Sequence, residues 1–85
     1  MERTVTLGSK SGLHARPAAL FVQQARSYQS QVTLLKGQRT ADGKSILSVM
    51  TLGAQQGDQL TLQISGSDAE IALHTLARLL EGDQG

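Results

Sequence analysis

Cysteine is absent from this 85-residue chain. That excludes a disulfide framework and any cysteine-based metal site. Aromatic side chains are scarce, with Phe21 and Tyr28 the only two, so there is little on which nucleic-acid bases would stack. Neither sign of charge dominates. Eight Lys and Arg stand against seven Asp and Glu, a formal charge of +1, and the basic residues form no run. A broad electrostatic footprint for nucleic acid is thereby excluded. No apolar stretch is long enough to span a bilayer. The start, Met1-Glu2-Arg3-Thr4, lacks the apolar run of a secretory signal. The expectation is a cytoplasmic protein with neither membrane nor nucleic acid among its partners.

What is present suits one compact domain spanning residues 1–85. A chain this short buries about 60–65% of its unfolded surface, so the core is thin. Function is then expected in a surface loop or a docking face rather than a deep pocket.

Thr4-Val5-Thr6-Leu7 alternates polar and apolar, the period of a half-buried strand. Gly8 to Gly12 reads as a loop. Ala18, Phe21, Val22 and Ala25 then recur at helical spacing. Val32 and Leu34 mark a second strand, and Gly37 turns the chain into a third around Arg39–Ala41. Ser45 precedes Ile46-Leu47-Ser48-Val49-Met50-Thr51-Leu52, read as a short helix stopped by Gly53. Its β-branched residues also permit a strand. Leu60, Leu62 and Ile64 alternate as a fourth strand. Ser67-Asp68-Ala69-Glu70 reads as a capping box, with Ser67 and Glu70 each satisfying a backbone donor. Ala69, Ala72, Leu73, Leu76, Leu79 and Leu80 give that last helix a core face. Gly82 sits just past its end, and the tail Gly82–Gly85 is expected to fray. The order β-α-β-β-α-β-α implies an α+β fold, with one sheet and its helices on one face.

The segment Ser11-Gly12-Leu13-His14-Ala15-Arg16-Pro17-Ala18-Ala19 carries the chemistry. It lies where a loop enters the first helix, whose leading N–H groups lack partners and favour anions. With His14 as cap, the N–H groups of Ala15 and Arg16 face whatever is attached to its ring. Pro17 has no N–H, which costs little in a first turn. Arg16 adds a planar cationic fork suited to phosphate oxygens. Gly12 allows loop geometries that a side chain restricts. A neutral imidazole nitrogen is a nucleophile able to take a phosphoryl group. On the residues alone, the plainer reading also stands: a lone His before a helix is usually a neutral cap or a packing group.

Gly-Leu-His-Ala-Arg-Pro-Ala-Ala from Gly12, together with Gly-Lys-Ser-Ile-Leu-Ser-Val-Met-Thr-Leu-Gly from Gly43 to Gly53, resembles the HPr family of phosphocarriers of the bacterial phosphoenolpyruvate-dependent phosphotransferase system. The resemblance implies an open-faced β-sandwich, a four-stranded antiparallel sheet with three helices on one face. It implies that His14 is the phosphorylated histidine, through Nδ1, that Arg16 accompanies it, and that Ser11, Gly12 and Pro17 belong to the active loop. It implies enzyme I as donor and the enzyme IIA domains of sugar permeases as acceptors, with no cofactor and no metal. Ser45 matches a serine phosphorylated by HPr kinase/phosphorylase in many Gram-positive bacteria. It also reads as a plain helix N-cap.

Val49 and Leu52 are expected to point inward, leaving Ile46, Leu47 and Met50 as an exposed apolar docking patch. Core packing is an equal rival for that trio. Arg16 and Arg26 would rim the patch and steer an acidic partner. Gln23 stands where some family members carry lysine, which weakens the rim. His74 shares a helical face with Glu70, Arg78 and Glu81 and reads as solvated. A monomer is expected. Two other functions remain open beside the sugar-branch carrier: a regulatory HPr-like binding module, or a nitrogen-branch phosphocarrier. A small domain binding RNA or a ligand is disfavoured by the missing aromatics and basic clusters.

Overall fold

Alternating burial defines the sheet in the computed structural model, which describes residues 1–82. The strands are β1 (Glu2–Thr6), β2 (Gln31–Lys36), β3 (Arg39–Asp42) and β4 (Gln59–Ser65). The helices are α1 (Ala15–Arg26), α2 (Ile46–Met50) and α3 (Ala69–Glu81). The sheet is antiparallel throughout, in the order β1-β4-β2-β3. β4 lies between β1 and β2, so those two run parallel to each other with α1 as their crossover. The β1–β4 register sets Val5 against Leu60, and β2 sets Val32 against Ile64 and Leu34 against Leu62. Because side chains alternate across a strand, this register puts every one of those apolar groups on the helix side. The opposite face carries Thr4, Gln31, Thr33, Thr61 and Gln63 and meets water.

α1 buries Pro17, Ala18, Phe21, Val22 and Ala25, the expected stripe with Pro17 added. Phe21 is fully enclosed, as are Leu7, Leu13, Leu34, Leu52, Leu62, Leu76 and Leu80. Each such side chain contributes about 1.5–3 kcal/mol through loss of apolar surface from water. Leu7 and Leu13 bracket the loop between β1 and α1, so both ends of that loop are anchored in the core. On α3 the buried residues are Ala69, Ala72, Leu76, Ala77 and Leu80, while Leu73 and Leu79 pack only partly against them.

The ambiguous run after Ser45 is helical. The amide of Ser48 donates to Ser45 Oγ at 3.2 Å, which satisfies a donor that a five-residue helix otherwise leaves bare. At its other end, Lys36 Nζ donates to the Gly53 carbonyl at 3.0 Å and Arg39 to the Leu52 carbonyl at 3.5 Å. Cations at a helix C-terminus suit its dipole. Tertiary partners thus settle a conformation that local propensity leaves undecided.

The capping box is not formed. Asp68, not Ser67, is the N-cap of α3, and no side chain caps the helix. The Asp68 carboxylate instead accepts the amides of Gln29 at 2.9 Å and Ser30 at 3.0 Å, and the Ser30 hydroxyl. Ser67 Oγ lies 3.4 Å from Gln29 Oε1. The start of β2 outcompetes the helix for these groups because it presents two backbone donors and a hydroxyl at once. Gly82 does cap α3. The rest of the tail, residues 83–85, lies outside the described residues. No helix among the described residues is long and apolar enough to cross a membrane.

Candidate functional site

The loop from Leu7 to His14 leans on a second loop, Ala54 to Asp58. The Leu7 amide donates to the Asp58 carbonyl at 2.9 Å, and the Gly57 amide donates back to the Leu7 carbonyl at 2.9 Å. The Leu13 amide donates to the Ala54 carbonyl at 3.1 Å. Within the loop, the Gly12 amide donates to the Ser9 carbonyl at 3.1 Å, and Ser9 is itself buried. Gly12 has φ 73°, and a Cβ there would stand 2.4 Å from the Ala54 oxygen and 3.3 Å from His14 Cδ2. Glycine is required on both counts: the left-handed backbone and the closeness of Ala54. Ser11 is exposed, with its hydroxyl 3.4 Å from that of Ser9.

His14 is the N-cap of α1, with extended φ −124° and ψ 160°, and its side chain makes no capping bond. The ring is half-buried and not spent on the helix. Ala15 follows with φ 44°, the only non-glycine with positive φ among the described residues. Such a conformation costs about 1–3 kcal/mol and persists only where its surroundings impose it. Here Leu13 is fixed on one side and Pro17, buried and locked in φ, on the other. The first turn is correspondingly loose, with the Ala18 amide 3.5 Å from the His14 carbonyl. Among the described residues, the Ala15 and Arg16 amides have no acceptor. Both residues are exposed, and the first turn holds no acidic residue. A half-buried imidazole thus stands at the positive end of a helix beside open amides, with the exposed Arg16 two residues on, a setting for a bound or covalent anion.

Val49 and Leu52 are buried, whereas Ile46 is 41% exposed, Leu47 76% and Met50 36%. The trio is therefore surface rather than core. Leu20, on α1 and 39% exposed, was not distinguished by its sequence pattern, because it falls between the buried stripe and the polar face. α2 packs on α1. Arg26 Nε donates to the Lys44 carbonyl at 2.8 Å, and Lys44 Nζ to the Tyr28 carbonyl at 2.7 Å. Arg26 thereby braces the entry to α2 next to Ser45. Gln23 and Arg16 are exposed on α1.

Sequence reasoning missed Lys36 and Asp58. Lys36 Nζ lies 3.0 Å from Asp58 Oδ2, and the Gln55 amide donates to that same oxygen at 2.8 Å. The Gln55 amide, and then Lys36, hold the Asp58 carboxyl below its ordinary range. Asp58 after Gly57 signals a turn, but nothing in the pattern names a partner on β2. His74 is exposed in a shallow groove with Arg3, Arg78 and Glu81, as its helical spacing implies. Among the described residues, no three His, Asp or Glu cluster as a metal site would need.

Comparisons with known proteins bear on the family and the fold. The family model described as the PTS HPr component phosphorylation site matches residues 1–82. The phosphocarrier protein HPr of Haemophilus influenzae is 36% identical over 78 residues, 92% of each chain. A crystal structure of the phosphocarrier protein HPr from Bacillus anthracis superposes with a TM-score of 0.92 at 40% identity. It covers 94% of this chain and 95% of that one. The Bacillus subtilis catabolite repression protein Crh, solved as an intertwined, swapped dimer, gives a TM-score of 0.79 at 43% identity, over 85% and 83% of the two chains. A match of that extent decides membership: the chain belongs to the HPr family of phosphocarrier proteins of the phosphotransferase system.

Proposed function

We propose that this chain accepts a phosphoryl group from phospho-enzyme I on His14 and passes it to enzyme IIA domains of sugar permeases. One observation carries the reading: His14 ends its extended segment at the mouth of α1 with its ring uncommitted and the amides after it open. The neutral ring nitrogen attacks phosphorus in line while the donor's P–N bond breaks and its electron pair returns to the donor imidazole. Each ring keeps the proton on its other nitrogen, so the step balances without net proton transfer. The Ala15 and Arg16 amides and the Arg16 guanidinium then face the phosphate oxygens. Nearly equal bond energies on the two sides leave positioning as the main contribution to rate.

Ile46, Leu47 and Met50 form the docking patch, with Gln23 and Arg26 at its edge. Ser45 is the place for regulatory phosphate, added by an HPr kinase/phosphorylase where the cell has one. The chain works as one cytoplasmic, monomeric domain without a cofactor. Incubation with enzyme I and labelled phosphoenolpyruvate tests this. An acid-labile, alkali-stable label that disappears in His14→Ala supports the carrier, and an unlabelled wild type refutes it.

A second reading, a regulatory module, is favoured by the 43% identity to Crh. Family members of that kind have lost the active histidine, and this chain keeps it. A nitrogen-branch carrier would share the His14 chemistry and differ only in its acceptors.

A further inference from the structure

We infer that Lys36 and Asp58 are positioning residues for His14, holding the imidazole loop in register with the α2 docking patch. The mechanical half rests on geometry alone, and the kinetic half rests on the phosphocarrier reading.

The Lys36 ammonium lies where two elements meet. It donates to the Gly53 carbonyl just past α2 at 3.0 Å and pairs with Asp58 Oδ2 at 3.0 Å. The same carboxylate oxygen accepts the Gln55 amide at 2.8 Å, and the Asp58 amide donates to the Gln55 carbonyl at 3.0 Å. The Gln55–Asp58 turn is therefore closed from both sides and tied to α2. It is also the support of the His loop. The Asp58 carbonyl accepts Leu7, and the Ala54 carbonyl accepts Leu13, the residue before His14. The Ala54 oxygen further sits where a Cβ on Gly12 would collide. A continuous path of bonded groups thus runs from the end of α2, through one ammonium and one carboxylate, to the backbone that carries the imidazole.

The consequence is one of alignment. A partner seated on Ile46, Leu47 and Met50 must find His14 at a set distance and angle. A shift of about 1 Å in such a geometry costs as much as a hundredfold in rate. The pair is about one-third exposed, at 31% for Lys36 and 32% for Asp58, so it adds little to global stability. Its contribution lies in register.

The test uses the full chain with D58N, which removes the charge and keeps an acceptor for Gln55, with K36M, and with K36R as the charge-keeping variant. Amide exchange at Leu13 and the rate of phosphorylation by enzyme I are read well below the melting temperature. In D58N and K36M, Leu13 exchange is expected to accelerate about two- to fivefold, the range an exposed ion pair supports. The phosphorylation kcat is expected to fall while KM stays nearly constant, K36R restores most of the rate, and the double variant loses no more than either single one. Unchanged Leu13 exchange overturns the brace. Faster exchange with an unchanged kcat overturns the positioning role and leaves a purely structural pair. If wild type takes no phosphate on His14, the carrier reading and the kinetic half fall together, and Leu13 exchange still decides the mechanical half.

Discussion

Asp68 grips Ser30. Its carboxylate accepts the Ser30 amide at 3.0 Å and the Ser30 hydroxyl as well, joining the residue before α3 to the residue before β2. The Gly66 backbone lies against the same serine, so closely that a Cβ there would meet Ser30 Oγ at 2.5 Å. The Ser30 hydroxyl, followed by the Gln29 amide, holds the Asp68 carboxyl below its ordinary value of 3.8. The sign follows directly. A carboxyl depressed in the folded state binds its proton more readily when unfolded, so its stabilisation is complete above the unfolded value. It is lost as pH falls through the lower, folded one. Unfolding followed from pH 6 to pH 2 should show stability falling in the acid limb, with a shallower slope in Asp68→Asn. Asp58 is depressed in the same direction, so the slope should soften further in the Asp58→Asn, Asp68→Asn double variant.

Gly12→Ala should damage the loop, because Gly12 is buried against the Ala54 backbone. The backbone at φ 73° disfavours any side chain, and the added Cβ would sit 2.4 Å from the Ala54 oxygen. The conformational part alone costs about 1–2 kcal/mol, and relief of the collision displaces the Leu13–Ala54 bond. A lower melting temperature together with slower His14 labelling is the expected outcome, and thermal denaturation beside the enzyme I assay measures both.

Leu47→Ala should separate binding from stability. Leu47 is 76% exposed, and surface substitutions away from special features stay within about 0.5 kcal/mol. Removal of an apolar anchor at the centre of an interface costs more than about 1 kcal/mol of binding. The melting temperature should therefore hold while KM for enzyme I rises about fivefold or more, as steady-state phosphorylation kinetics would show.

The capping role of Ser45 and the regulatory role proposed for it can be pulled apart by substitution. Its Oγ accepts the Ser48 amide, so Ser45→Ala should lose about 0.5–2 kcal/mol, read by urea unfolding. Ser45→Asp keeps a capping acceptor and adds negative charge at the edge of the docking patch. It should unfold near wild type yet raise KM for an acidic partner, an effect that added salt weakens.

Much of this fold was legible along the chain. The strand alternations at Val32–Leu34 and Leu60–Ile64 and the α1 stripe at Phe21, Val22 and Ala25 each declare themselves within a few residues, since period and side-chain type are local properties. The His14 loop was legible for a similar reason: glycine, histidine, arginine and proline stand consecutively at a helix start. The capping box at Ser67–Glu70 was misread because a local motif says nothing of a rival partner. Gln29 and Ser30, nearly forty residues away in sequence, took the carboxylate of Asp68.

The sequence by itself disclosed the order of the elements, the apolar stripe of α1 and of the strands, and an imidazole at the opening of α1. Tertiary structure settled the rival readings, strand against helix for the run after Ser45 and core against surface for Ile46, Leu47 and Met50, and it alone placed Lys36 and Asp58 behind the imidazole loop. The physical reason is distance along the chain. Periodicity and capping act over one or two turns. A hydrogen bond such as Leu13 to Ala54, or an ion pair such as Lys36 to Asp58, exists only after the sheet has closed and brought remote backbones within 3–4 Å of each other.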